Sequence, residues 1–249
     1  VGSKLITSTP ANLAGGTLPA VQAVSVVFDG ADGRPLAVLD GTAITRWRTA
    51  ADSALGARLL ARADARHLVL VGAGAMSIPL ARAHMTVRPS IDRVTVWNRT
   101  ISRAQEVAAA LRSDGVDADA TGDLDTAIAT ADVVTACTRA TEPVIAGRLL
   151  RPGTHVDLVG GFTPSTREAD DETMRRGRVF VDRRESAFDG VGDILTPIAN
   201  GTITADDVLG DLHDLVAGRV GRRSDDEITV FKNAGGGHLD LITAAVLLR

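Results

Sequence analysis

The chain has 249 residues, 45% of them hydrophobic, enough for one large domain or two modest ones with cores of their own. A net charge of −4 argues against an electrostatic nucleic-acid binder, and no apolar run reaches the roughly 18 residues of a membrane span. The single cysteine, Cys137, excludes an internal disulfide and a cysteine-built zinc site, so no metal centre is expected.

The chain begins "VGSKLITSTP", without an initiating Met and already inside an expected strand, so a preceding segment is expected. No secretory leader pattern is present there, which makes the cytoplasm the default address. Residues 4–10 and 22–28 are rich in β-branched residues and read as strands. "DGADGRP" (29–35) repeats the Asp-Gly turn signal, and "LAVLDG" follows as the return strand of a small antiparallel sheet. The Ala/Leu/Arg segment 42–63 reads as a helix with Thr42 or Gly41 near its start.

From there strands and helices alternate. Strands are expected at 67–74, 93–98, 132–138, 153–161 and 178–182. Helices are expected at 77–87, 102–115, 124–131 and 167–177. This alternation predicts an α/β fold with a Rossmann, doubly wound parallel sheet, beside a smaller α+β lobe. "GRRSDDE" (221–227) reads as a polar crossing between lobes, followed by a strand and loop at "ITVFKNAGGG" and a closing helix. The expected division is 1–62 plus 226–249 for substrate binding and dimerisation, and 63–225 for the nucleotide-binding domain.

"VLVGAGAMS" (69–77) sets Gly72 and Gly74 between a strand and a helix. The first glycine permits the tight turn, and the second lets backbone approach a pyrophosphate seated on the helix N-terminus. Ala75, Met76 and Ser77 complete this variant of the glycine-rich pattern and are candidate cofactor contacts. The alternative is a tight turn with no ligand. The next strand ends in Asn98, Arg99 and Thr100, where an acidic residue would bind the ribose hydroxyl of NAD. Without a carboxylate, and with an arginine and a hydroxyl, the site favours NADPH, with NADH possible. Only two of the 27 basic residues are lysines, Lys4 and Lys232, which marks them against an arginine-rich background.

Taken together, "GSKLITSTPAN", "LDGTAITRWRTAADS", "GAGAMS", "VWNRT", "ATEPVI", "RPGTHVDLVGGFTP" and "ITVFKNAG" resemble the ornithine cyclodeaminase/mu-crystallin family nearly end to end. The resemblance implies a nicotinamide-dependent enzyme with a Rossmann lobe and a dimer-forming lobe, working as a homodimer on a small imino or amino acid. Family chains begin well before the "GSK" motif, which agrees with a preceding segment. By resemblance, Lys4 and Arg48 match residues that hold the substrate carboxylate. Thr138, Gly160, Asn233 and Ala234 match positions facing the cofactor. Lys232 falls in the same motif but could simply point to solvent. His238 is the histidine closest to these motifs. His67, His84, His155 and His213 read as strand-end or helix-surface residues, and Cys137 as core.

One position departs from the family's cyclodeaminases. Their base is an aspartate in a strand-end "GxD-x-P" context, and here Phe162 takes its place before Pro164. Phenylalanine cannot accept a proton. An aromatic wall suits a preformed cyclic imine, and "GGFTP" followed by "READDE" resembles the Δ1-pyrroline-2-carboxylate and Δ1-piperideine-2-carboxylate reductase branch. The expected activity is NAD(P)H-dependent reduction of these ketimines to L-proline and L-pipecolate. The alternatives are an amino-acid dehydrogenase or ornithine cyclodeaminase on this scaffold, or a non-catalytic NADPH-dependent binding protein.

Overall fold

A computed structural model of the chain describes residues 1–9, 12, 18, 19 and 21–249. Two compact units divide it: Val1–Thr49 with Gly235–Arg249, and Ala50–Ala234. The sequence-based boundaries at 62/63 and 225/226 therefore differ from the structural ones.

In the smaller unit, β1 (Gly2–Ser8), β2 (Val21–Phe28) and β3 (Pro35–Asp40) form an antiparallel sheet in that order. The expected first strand ran to Pro10, which lies outside the described residues. Residues 29–34 make the turn between β2 and β3. There the Asp29 N–H donates to the Arg34 carbonyl at 2.8 Å, and Gly33 takes φ +76°. Helix α1 (Gly41–Leu60) starts in this unit and continues into the larger one. Asp40 caps it, its Oδ1 accepting the N–H groups of Thr42 and Ala43 at 2.8 and 3.0 Å. Gly41 has to be glycine-sized, because a Cβ there would lie 2.9 Å from the Ala23 backbone.

The larger unit holds a seven-stranded parallel sheet. Its strands are β4 (His67–Val71), β5 (Arg93–Trp97), β6 (Ala118–Thr121), β7 (Val133–Ala136), β8 (His155–Leu158), β9 (Gly177–Val181) and β10 (Ile228–Lys232). Their order is β6-β5-β4-β7-β8-β10-β9. The chain builds outward from β4 to β6, then returns to β7 on the other side of β4. That reversal makes the switch point, outside whose strand ends ligands bind in such sheets.

Alternate residues of β4 enter two cores. Leu68 and Leu70 pack with Ala57 of α1, Ala61 just past its end, Ala81 of α2 (Ser77–Val87) and Leu111 of α3 (Ile101–Ser113). Val69 and Val71 pack with Ile128 of α4 (Leu124–Thr130) and Met174 of α5 (Asp171–Arg176). Both faces of the sheet are thus covered, as a parallel sheet requires.

Four expectations need correction. Strand β10 was placed with the chain ends, yet it lies inside the parallel sheet, bonded to β8 and β9, with all five residues buried. Strand β6, "ADAT", was not expected; it is a four-residue edge strand whose only apolar residues are alanines, which carry little strand preference. Helix α5 begins at Asp171 rather than 167, capped by Asp170, because the residues before it are engaged elsewhere. Helices α6 (Arg184–Ala187), α7 (Gly192–Ala199) and α8 (Leu212–Val216) occupy a stretch where no element was expected; two are only four and five residues long. The last helix is α9 (Gly237–Leu247), packed on β1 and β2. Among the described residues no helix is long and apolar enough to cross a membrane.

Candidate active site

The glycine turn after β4 has the shape its sequence predicts. Gly72 takes φ +113°, a conformation that glycine adopts without strain. Its N–H donates to the Trp97 carbonyl at 2.8 Å, tying the turn to the end of β5. Nothing lies within 4 Å of where a Gly74 Cβ would stand, so that side of the turn is open. Among the described residues, the backbone N–H groups of Ala75 and Met76 donate to nothing, while that of Gly74 faces the Cys137 sulfur. They precede the eleven-residue α2, whose N-terminus adds partial positive charge. Free donors, open space and a helix dipole together fit a cofactor pyrophosphate. The side chain of Ser77 faces inward instead: its Oγ donates to the carbonyls of Gly72 and Gly74, both at 2.9 Å. It therefore staples the turn, leaving backbone donors to meet a phosphate.

At the end of β5, Asn98 is also partly committed. Its Oδ1 accepts the Ala73 N–H at 3.2 Å and its Nδ2 donates to the Thr100 carbonyl at 3.0 Å. Arg99 and Thr100 are exposed, and among the described residues the Arg99 guanidinium has no hydrogen bond or ion pair. It is the free cation at this strand end.

The ends of β7 and β8 are joined by a carboxylate that sequence reasoning had not assigned. Glu168 is fully buried; its Oε1 accepts the Thr138 N–H at 2.6 Å and the Thr138 hydroxyl at 2.8 Å, and its Oε2 accepts the Gly160 N–H at 2.6 Å. Asp193 stands behind it, taking the Glu168 N–H at 2.7 Å and the Lys232 ammonium at 3.0 Å. Lys232 is wholly buried rather than solvent-facing. A lone lysine ending a strand otherwise free of charge was the signal available in the sequence. Burial pushes the Glu168 carboxyl up to about 7, against the attraction of Lys232.

Asn233 follows β10, its N–H on the Leu158 carbonyl at 3.0 Å and its Nδ2 on the Ser53 hydroxyl at 3.0 Å. Ser53 in turn donates to Asp157, which also receives the Thr135 hydroxyl at 2.6 Å and pairs with His84 at 3.2 Å. Ala234 packs against the main core. His84 is therefore a core residue rather than a helix-surface one; His155 does open a strand, β8, and burial there drives it down to about 3. Burial likewise pushes the Cys137 thiol up to about 12, which removes it as a nucleophile. Phe162, just past Gly160 and Gly161, is 56% exposed, with its N–H on the Gly160 carbonyl.

The smaller unit collects a separate charged group. Lys4 on β1 donates to Thr45 Oγ1 at 2.5 Å and pairs with Asp240 of α9 at 2.8 Å. The Arg48 Nε lies 3.5 Å from the same Asp240 oxygen, without a hydrogen bond. Lys4, Arg48 and Asp240 together carry one net positive charge, enough for one further carboxylate. Lys4, His238 and Asp240 line a cavity of about 260 Å³. Asp240 was missed by sequence reasoning, although it is the only charged side chain of α9.

The family profile of "Ornithine cyclodeaminase/mu-crystallin family" matches residues 1–248. A Δ1-pyrroline-2-carboxylate reductase of Paracoccus denitrificans is 51% identical over all of this chain and 78% of its own length. A Thermococcus litoralis Δ1-pyrroline-2-carboxylate reductase, solved with NADH and L-proline, is 32% identical with a TM-score of 0.95, over 99% of this chain and 76% of that one. An archaeal alanine dehydrogenase dimer with bound NAD is 29% identical with a TM-score of 0.93, over the same shares of the two chains.

Proposed function

Because the chain belongs to the ornithine cyclodeaminase/mu-crystallin family, we propose that it reduces the cyclic ketimine Δ1-pyrroline-2-carboxylate to L-proline with NAD(P)H, and the six-membered ketimine to L-pipecolate. The observation that carries this reading is the 51% identity along the whole chain to a reductase of that substrate. When bound, the reduced nicotinamide supplies hydride to the carbon of the C=N bond. NADPH is the preferred form: the exposed Arg99 is a free cation for a 2′-phosphate, and no carboxylate at that strand end repels one.

The chain's own groups then bind, orient and protonate. The open side of Gly74 lets the pyrophosphate approach, and Ala75 and Met76 offer it backbone donors. Arg48 and Lys4 hold the substrate carboxylate, whose charge balances the single excess positive charge of the Lys4–Asp240–Arg48 group. Lys4 or a water molecule gives the ring nitrogen its proton. Phe162 offers an exposed ring as an apolar wall for the substrate. It offers no base, so oxidation and ring closure of ornithine are not supported. A homodimer is the proposed assembly, as in the archaeal alanine dehydrogenase.

Purified protein should oxidise NADPH with either cyclic ketimine, and more slowly with NADH. It should release no ammonia from ornithine. The likeness to an alanine dehydrogenase supplies the control: turnover of an open-chain 2-oxo acid with ammonia, exceeding that of the ketimines, would replace this reading.

A further inference from the structure

We propose that Glu168 is a positioning residue for the nicotinamide half of the cofactor, holding the ends of β7 and β8 together through Thr138 and Gly160, and that ionisation of its carboxyl switches this hold. The inference rests on the proposed nucleotide-binding role of the larger unit.

The geometry of the brace is specific. One carboxylate takes three donors from two neighbouring strand ends, at 2.6, 2.8 and 2.6 Å. The paired glycines after β8 are shaped to it. A Cβ on Gly160 would lie 2.6 Å from Glu168 Oε1 and 1.8 Å from the Thr138 carbonyl, and one on Gly161 would lie 2.1 Å from Asp193 Oδ2. Glu168, Asp193 and Lys232 are all buried, two carboxylates against one ammonium, leaving one excess negative charge. Apolar packing of the same volume is often at least as stable as such a group. Stability alone therefore does not explain the brace, whereas its place at the ligand-binding end of a doubly wound sheet does.

The groups facing Glu168 are Lys232 from β10, Asp193 from the first turn of α7 and Cys137 from the end of β7. In its own segment, Arg167 is taken by Asp171. With its carboxyl pushed up to about 7, Glu168 changes state near neutrality. A proton on the carboxyl turns one acceptor site into a donor, which the Thr138 and Gly160 N–H groups cannot accept, and among the described residues those N–H groups have no other partner. As pH falls through about 7 the hold on Gly160 or Thr138 weakens, and so does cofactor affinity.

The test measures NADPH affinity by nicotinamide fluorescence between about pH 6 and pH 8.5, alongside the affinity for ADP-ribose, which lacks the nicotinamide. Wild-type NADPH affinity should fall about tenfold toward the acid end, the scale of one charge-assisted hydrogen bond. Glu168→Gln should bind NADPH at the weak acid level throughout, with ADP-ribose affinity unchanged. Lys232→Gln, which removes the attracting charge but keeps a donor, should move the wild-type midpoint to higher pH. A Glu168→Gln protein with the wild-type pH profile would overturn the proposal. So would a variant that loses ADP-ribose and NADPH equally, since that marks a general folding role. Wild-type protein that binds neither ligand would instead overturn the nucleotide-binding reading.

Discussion

At the scale of single residues, charge count sets the sign of two substitutions in the smaller unit. Removing Arg48 leaves Lys4 and Asp240 with no net charge. Arg48→Ala should therefore raise the ketimine KM about ten- to a hundredfold, the loss of a charged hydrogen bond. Asp240→Asn raises the net charge instead and should lower that KM. Steady-state kinetics on the two variants would contradict the account if both moved KM in the same direction. Glu168 makes a different prediction, on stability. Its folded-state value of about 7 lies above the ordinary 4.5. Between those values the folded chain keeps a proton that the unfolded chain has lost. Its contribution to stability therefore falls as pH rises through that window, by on the order of 3 kcal/mol. Glu168→Gln removes this dependence, so its melting temperature relative to wild type should be higher at pH 8 than at pH 5. Lys4 and Arg48 could be picked from the sequence by motif. Asp240 and Glu168 could not, because a carboxylate in a helix or before a helix usually faces water, and only tertiary folding brings these two to their partners.

At the scale of elements, α1 and β10 meet inside the larger unit at Gly56. A Cβ there would fall 2.7 Å from the Phe231 ring, which is itself fully buried. Gly56→Ala would gain about 1 kcal/mol of helix propensity, but overpacking against a ring with no room to move costs about 1–3 kcal/mol. Thermal melting should show a net loss; a rise in melting temperature would contradict this packing. The alternating run from β4 through α3 was legible because apolar period and glycine punctuation agree there. The stretch from α6 to α8 was not, because short helices carry too few turns to show a period. Strand β10 was legible as a strand but not as a member of its sheet. Its neighbours β8 and β9 are distant in sequence, and an all-buried strand looks the same wherever it pairs.

At the scale of the molecule, family, fold class and reaction class were legible from motifs spread along the whole chain, because a doubly wound sheet ties its ligand site to strand ends that carry those motifs. The boundaries of the two units were less legible, because α1 runs through one of them without a break in its helical pattern. The most direct test of the account is the initial rate of NADPH oxidation with Δ1-pyrroline-2-carboxylate, measured beside ammonia release from ornithine. Ketimine-dependent oxidation yielding L-proline is expected, with no ammonia released. Ammonia release from ornithine at a comparable rate, or no turnover of the ketimine, would contradict it.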